Sequence, residues 1–418
     1  MKRSTADSGE TKAAFDRRNF LGGALAAVGS AALLKSASSS AEEKPAPADF
    51  KRKVKLGIVG CGGRGSWIAK LFQQHGGYEL CAVADYFQDA ADTGGKALGV
   101  DNARRFTGLS GYKKLLDSGV EAVVIINVPY FHAEQAKAAV EAGVHVYMAK
   151  PVAVDVPGCL AIGATAKQAT QKQRCFLVDY QLPTEQPNIE VATRTREGAL
   201  GKLAHIVSFG FSGAWSDPPK GPTIENRLRG EIWLSDIALG GDNIVSYDIH
   251  IIDGITWVMG KRPVSAVGKS RICRPEPHGD RCDCGGVVYE YDDGVIWTHL
   301  VQAMNNNADL TTMSAGFFGA SAMARIQYGG KVFVRGGPKH YAGQCGSIYD
   351  DGAKRNIAEF YRNITEGHFD NPTAQRAVDG TLTAILGREA SSRRCFLTME
   401  ELLKENKRLE VDLKGLKA

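Results

Sequence analysis

Val54-Lys55-Leu56-Gly57-Ile58-Val59-Gly60-Cys61-Gly62-Gly63-Arg64-Gly65 is the stretch that decides the fold. Its first half is an apolar run with strand character, its second half fits G-x-G-x-x-G, and Trp67 to Gln74 continues with helical periodicity. A strand that ends in glycines and turns directly into a helix is the context in which this pattern binds a dinucleotide. Gly60 permits the tight turn, Gly62 the close approach of a pyrophosphate, and Gly65 the packing of helix near strand, with Gly63 and Arg64 completing the turn. The helix N-terminus then offers amide donors and a partial positive charge to the phosphates. Asp85 closes the next apolar run, about 20 residues on, where an acid binds the adenosine ribose hydroxyls. A carboxylate there repels a 2′-phosphate and favours NAD. Arg64, a cation inside the turn, leaves NADP open.

Working outward, Tyr78 to Ala84, the very apolar Val120 to Val128 and His145 to Met148 read as further strands, with a helix over His132 to Ala142. Apolar strands alternating with helices imply a parallel, doubly wound sheet buried on both faces. After residue 175 the texture changes. Ala204 to Phe211, Val264 to Ser270, Val287 to Tyr291, Val295 to Leu300, Ala324 to Gln327 and Lys331 to Val334 read as strands. Turn signals such as Asp292-Asp293-Gly294 separate several of them, which favours an antiparallel sheet. A helix is expected over Asp242 to Met259, and two more over Ala353 to Glu366 and Thr373 to Ser392. The fold class is therefore α/β: an N-terminal Rossmann domain over 53–175, then an α+β substrate and oligomerisation domain over 176–395 with a large, mostly antiparallel open sheet. A C-terminal segment, 396–418, follows.

The first 41 residues stand apart. Asp16-Arg17-Arg18-Asn19-Phe20-Leu21 is a twin-arginine motif, Leu21 to Leu34 is weakly apolar, and Ser39 and Ala41 sit where a cleavage site is expected. This order reads as a twin-arginine signal peptide, 1–41, followed by a linker, 42–52; the alternative is a short anchor or tail. Export by this route implies a periplasmic protein that crosses the membrane folded, with its nucleotide already held and afterwards recycled in place. The leader holds six basic and three acidic residues, so over half of the net charge of +5 lies there. No basic stripe with interleaved aromatics remains, which argues against nucleic acid, and no later apolar run suits stable membrane insertion. Nine scattered cysteines do not suggest a disulfide framework in a protein folded before export. Cys273, Cys282 and Cys284 share a loop with His278; free thiols, one late disulfide or a metal site are the options, and no metal is expected.

Two further segments narrow the chemistry. Asn127-Val128-Pro129-Tyr130-Phe131-His132 leads through the helix to Ala149-Lys150-Pro151, and Gly240-Gly241-Asp242 leads to Ser246-Tyr247-Asp248-Ile249-His250-Ile251-Ile252-Asp253. With the glycine turn, this order resembles the glucose–fructose oxidoreductase, inositol dehydrogenase and rhizopine-catabolism family (Gfo/Idh/MocA), from about Lys53 to about residue 395. The resemblance implies that Lys150, before a proline often in a cis peptide, stands at the nicotinamide end and polarises the reacting oxygen. It implies that His250 takes the hydroxyl proton, with Asp253 orienting the ring or touching substrate. Asn127, Pro129 and His132 would join the cofactor site. Tyr180, Gln181, Arg227, Trp233, Asn243, Ser246 and Tyr247 are pocket candidates by position and type. On one continuous helix Ser246, His250 and Asp253 would share a face, and Asp248 would lie on another.

The sequence departs from the family at two places: Ala149 replaces the glutamate before the lysine, and Ser246 the acid four residues before the histidine. The expected function is an NAD-dependent oxidoreductase acting on a CH–OH group of a sugar, cyclitol or related carbohydrate. Two alternatives stand beside it: a glycoside hydrolase or lyase working through a transient keto-sugar, and a sugar-binding protein that keeps a nucleotide without turnover. The family also implies a homo-oligomer built on the open face of the second sheet.

Overall fold

The computed structural model describes residue 50 and residues 52–306 and 313–418. The proposed leader and nearly all of the linker lie outside the described residues.

The first layer forms because apolar strands alternate with helices whose apolar side covers them. Strands β1 (Val54–Val59), β2 (Tyr78–Asp85), β3 (Arg105–Thr107), β4 (Ala122–Ile125), β5 (His145–Met148) and β6 (Phe176–Val178) pair in the order β3-β2-β1-β4-β5-β6. All five pairings are parallel. Helices α1 (Gly63–His75), α2 (Gln88–Ala97), α3 (Gly111–Asp117), α4 (His132–Glu141) and α5 (Val156–Gln171) make the crossovers. β4 and β5 are buried at every position, as the run VEAVVIINV demands. The strand order reverses between β1 and β4, which opens a crevice at the carboxyl ends of the strands. Gly60, Asp85, Asn127 and Lys150 all follow or close strands at that end.

The second layer begins with α6 (Gln186–Arg196) and β7 (Leu203–Ser212). Short helices α7 (Ile224–Leu228), α8 (Ile237–Gly240) and α9 (Asn243–Ser246) then lead to α10 (Ile249–Met259). Strands β8 (Ser265–Arg271), β9 (Cys284–Glu290), β10 (Ile296–Ala303), β11 (Met313–Gly319), β12 (Met323–Gln327), β13 (Gly330–Arg335) and β14 (Tyr341–Cys345) follow. Helices α11 (Ile348–Glu366) and α12 (Pro372–Arg393), strand β15 (Phe396–Thr398) and helix α13 (Met399–Glu405) complete the chain. The nine-stranded order is β14-β13-β12-β11-β7-β10-β9-β8-β15, antiparallel except where β7 lies parallel to β10.

The expected fold class is the observed one. One element differs in a way that matters for the site: the helix expected over Asp242 to Met259 is two helices, α9 and α10, interrupted at Tyr247 and Asp248. The C-terminal helices return to the first layer. Tyr78 donates to the Ile357 carbonyl of α11 at 2.7 Å, and the edge of β6 is closed by Asn371 and Thr373, which accept from the amides of Phe176 and Val178. An edge strand occupied in this way offers no free ladder to another chain. Among the described residues no helix is long and apolar enough to cross a membrane.

Candidate active site

The glycine turn is shaped by contact, not by composition alone. A Cβ on Gly65 would lie 1.8 Å from the Gly60 carbonyl oxygen, so α1 can start here only with glycine, and Gly60 itself has φ +105°. At Gly62 and Gly63 a Cβ would meet nothing within 4 Å. That open space belongs to a cavity of about 950 Å³ that runs from the turn to Lys150 and His250. An empty cradle before a helix N-terminus fits a pyrophosphate. At one end of the cavity Asp85 accepts from the amides of Cys61 (2.8 Å) and Phe87 (2.9 Å), which fixes its carboxylate against the crevice. Burial raises its pKa, and the two amide donors oppose that shift.

At the other end, Lys150 follows β5, and its peptide bond to Pro151 is cis. Its Nζ donates to the Ser246 carbonyl at 2.7 Å. Burial, and secondarily the nearby Arg64 cation, bring the Lys150 ammonium down to about 7. His250 lies in the first turn of α10, its ring 4.9 Å from that of Tyr328. Its Nδ1 is buried without a hydrogen-bond partner. Burial first, then Lys150 and Arg64, push its pKa far down, so the ring stays neutral. A neutral imidazole and an amine of lowered pKa on one cavity are a proton-transfer pair for a hydroxyl placed between them.

Gly60, Gly62, Gly63, Arg64, Gly65, Asp85, Asn127, Pro129, Lys150, Trp233, Tyr247 and His250 line one cavity. Other candidates lie behind it. Both ring nitrogens of His132 rest on carbonyls, Pro151 at 2.9 Å and Asn127 at 3.1 Å, so it ties two cavity loops together. Gln181 accepts from the Tyr328 hydroxyl at 2.7 Å and so backs the ring that packs on His250. Tyr180 is buried away from the cavity, and Asn243 accepts from Trp215, which does line it. Ser246 contributes its carbonyl to Lys150 and spends its hydroxyl on the Asp242 carbonyl.

Four readings need correction. Asp253 does not reach the cavity: it is fully buried and ion-paired with Arg376 of α12 at 2.9 Å. The helix break separates Ser246 from α10, so the shared face expected of Ser246, His250 and Asp253 does not form. Arg227 is held in an ion pair with Asp236. Arg64 lines the cavity but turns from the glycine turn toward the Lys150 end, where its Nη2 donates to Asp179 at 3.0 Å.

Residue types alone did not reveal two groups. Asp179, just past β6, is a buried acid at the carboxyl end of a parallel strand, a position that could have flagged it. Asp248 sits in the helix break and faces inward. Trp297 donates to Ser208 (2.6 Å), Ser208 to His299 Nδ1 (2.8 Å), and His299 Nε2 therefore donates to Asp248 (3.0 Å). Burial raises the Asp248 pKa to about 6, opposed chiefly by His299. The loop carrying the cysteines serves a different purpose. Cys282 bonds Asp242 through its amide and thiol, and His278 Nδ1 donates to the Pro218 carbonyl, so thiols and imidazole do not converge. Cys273 and Cys284 lie 3.5 Å apart at sulfur, and all nine cysteines are free.

Residues 54–179 match the family model described as the oxidoreductase family, NAD-binding Rossmann fold. Over 157 residues the chain is 31% identical to a glycosyl hydrolase family 109 protein of Shewanella pealeana, covering 36% of this chain and 34% of that protein. It is 27% identical over 225 residues to inositol 2-dehydrogenase 3 of Saccharopolyspora erythraea, covering 53% of this chain and 57% of that one. The matched stretch thus spans about a third of the glycosyl hydrolase relative's length. Among solved structures, an aldose–aldose oxidoreductase from Caulobacter crescentus, complexed with glycerol, superposes with a TM-score of 0.67 at 19% identity, covering 83% of this chain and 100% of that one. Scyllo-inositol dehydrogenase from Lactobacillus casei, with bound NAD(H) and scyllo-inositol, gives 0.64 at 19% identity, covering 84% and 100%. At such identities the superpositions speak for the fold.

Proposed function

We propose that this chain, whose residues 54–179 carry the NAD-binding Rossmann fold of the Gfo/Idh/MocA oxidoreductases, oxidises or reduces a CH–OH carbon of a sugar, cyclitol or related carbohydrate. The observation that carries the reading is one cavity with the dinucleotide turn at one end and Lys150 beside His250 at the other. The residues fit NAD: Gly62 leaves room for the pyrophosphate, and Asp85 faces the ribose position with an anion that disfavours a 2′-phosphate. Arg64, turned away to Asp179, adds little to an NADP reading.

Bound NAD supplies the hydride acceptor. His250, kept neutral, takes the proton of the substrate hydroxyl, and Lys150 donates to the same oxygen as charge develops on it. Trp215, Trp233 and Tyr247 give the cavity aromatic walls against which a sugar's C–H face can pack, and they exclude water. Mass spectrometry of small molecules released from the denatured protein tests the cofactor, with NAD expected in near-stoichiometric amount. Protein that contains no nucleotide and shows no fluorescence change on adding NAD or NADH overturns the reading.

A second outcome of the same chemistry is favoured by the similarity to family 109 glycosyl hydrolases. Transient oxidation of a ring hydroxyl would acidify the neighbouring C–H; loss of that proton would expel the glycosidic oxygen, which leaves protonated as the alcohol, water would add to the resulting enone, and the same hydride would return to the ketone, so that the net change is hydrolysis. Release of nitrophenol from aryl glycosides with no added oxidant distinguishes this outcome; no release from either anomer rejects it.

Export by the twin-arginine route to the periplasm is part of the proposal, and with it a nucleotide retained and recycled. Two segments support retention by closing the adenosine end. Arg229 pairs with Asp89 at 2.8 Å, and the C-terminal segment bonds Tyr86 and Leu109 through Lys417. We further propose a homo-oligomer built on the open face of the nine-stranded sheet.

A further inference from the structure

The reacting end of the cavity holds more cationic donors than its own acids consume. Among the described residues only Asp85, at the adenosine end, and Glu231, on the wall, are acids that line the cavity. Asp248 is turned away to His299. Lys150 has a backbone carbonyl for its hydrogen-bond partner. Arg64 is more specific still. Its guanidinium lies beside the rings of Trp67 and Tyr349, at 4.3 and 4.4 Å from their centroids, the two rings being 4.6 Å apart, and Nη2 is held by Asp179. The Tyr349 hydroxyl adds a polar contact, yet Nη1 is buried without a hydrogen-bond partner. A guanidinium packed against two aromatic rings and tied to Asp179, with one buried N–H edge left over, is preorganised for an oxyanion. An unpaired buried donor also carries a desolvation cost until a ligand meets it. The charge argument agrees: oxidised nicotinamide beside Lys150 and Arg64 concentrates positive charge, which an anionic ligand offsets.

We propose, resting on the oxidoreductase reading above, that the substrate is a sugar or cyclitol carrying an anionic group, a carboxylate or a phosphate, which Arg64 Nη1 receives while a hydroxyl lies between Lys150 and His250. Arg64 is then a specificity-determining residue, and neutral sugars are poor ligands.

The test is a titration of the NAD-loaded full chain, followed by calorimetry and tryptophan fluorescence at low salt. Glucuronate, galacturonate and glucose 6-phosphate are compared with glucose and galactose, for the wild type, Arg64→Gln and Arg64→Lys. The expected result is at least about tenfold tighter binding of an acidic ligand than of its neutral counterpart. That preference falls to about twofold or less in Arg64→Gln and is partly kept in Arg64→Lys, with NAD content unchanged in both. The uronate and phosphate arms show which anion is received. Equal binding of neutral and acidic ligands overturns the proposal, as does no binding of any acidic ligand, or a preference that survives Arg64→Gln. Loss of NAD in Arg64→Gln also overturns it, because it assigns Nη1 to the cofactor. Nucleotide-loaded protein that turns over neutral sugars alone keeps the oxidoreductase reading and rejects this one; the wild-type comparison holds even if a variant does not fold.

Discussion

Lys150 shows how a single side chain sets both reactivity and stability. Its ammonium, ordinarily near 10.5, is brought down to about 7 chiefly by burial. In the reduction of a keto-sugar Lys150 stabilises the alkoxide forming on the carbonyl oxygen only while it holds its own proton, and His250, neutral in the free protein, returns to that oxygen the proton it takes in the reverse direction. The rate of reduction is therefore expected to fall as pH rises through about 7, and stopped-flow decay of NADH absorbance across pH 5.5 to 9 reads it. Lys150→Met should lose the pH limb and lower the rate by about a hundredfold or more. The same shift has a sign for folding. Below pH 7 both folded and unfolded chains hold the proton, and the folded state bears the whole desolvation cost, on the order of a few kcal/mol. Between 7 and 10.5 the unfolded chain binds the proton and the folded one does not, so this residue's contribution grows more favourable as pH rises. Lys150→Met removes that cost, less about 1–3 kcal/mol for leaving the Ser246 carbonyl unpaired. Its melting temperature in the nucleotide-free state, compared with wild type, should be more favourable at pH 6 than at pH 9; a pH-independent difference contradicts the shift. At this scale Lys150 and His250 were legible because motifs mark them. Asp253 and Arg64 were misjudged because sequence spacing names a residue without saying which way it turns, and partners 123 and 115 positions away decide that.

The glycine turn separates two jobs that the pattern G-x-G-x-x-G merges. A methyl at Gly65 collides with the Gly60 carbonyl at 1.8 Å, whereas one at Gly62 enters open space. Gly65→Ala is expected to destabilise the fold by about 1–3 kcal/mol through overpacking. Gly62→Ala should melt within about 1 kcal/mol of wild type yet lose most NAD affinity, because its methyl fills the pyrophosphate cradle. Denaturant unfolding paired with NADH fluorescence titration reads both, and equal NAD affinity in Gly62→Ala removes the cofactor from this turn. The strands of the first sheet were legible because apolar runs buried on both faces leave a continuous signature. The short β3, β6 and β15 were not, since three residues carry no period. The break between α9 and α10 also escaped notice. Ser246, Tyr247 and Asp248 do not signal a stop, and the break exists because Asp248 is drawn to His299 across 51 residues. Gly210 makes room for it, since a Cβ there would lie 2.1 Å from the Asp248 carboxylate.

At the scale of the whole molecule the unresolved quantity is apolar area. The nine-stranded sheet has one face covered by α6, α10 and α12, and the other leaves large hydrophobic side chains in water. Val207 on β7, Val267 on β8, Val288 on β9, and Ile296 and Leu300 on β10 are 40–50% exposed and come from four neighbouring strands. Alternation along each strand puts them on one face, opposite buried Ile206, Ala266, Val287, Trp297 and Val301. Scattered exposed apolar residues need no explanation, but a contiguous set on a flat sheet favours a partner surface. A second copy satisfies it symmetrically, because the same patch faces itself across a twofold axis. The wild type is therefore expected to run as a dimer or larger by light scattering at micromolar concentration. Leu300→Glu and Val288→Lys, each placing a charge where the faces meet, should shift it to monomer while leaving the first sheet folded and NAD bound. Wild-type protein that is monomeric at 100 μM rejects the interface. Variants that stay oligomeric move it to another surface, such as the exposed Phe396 edge at β15.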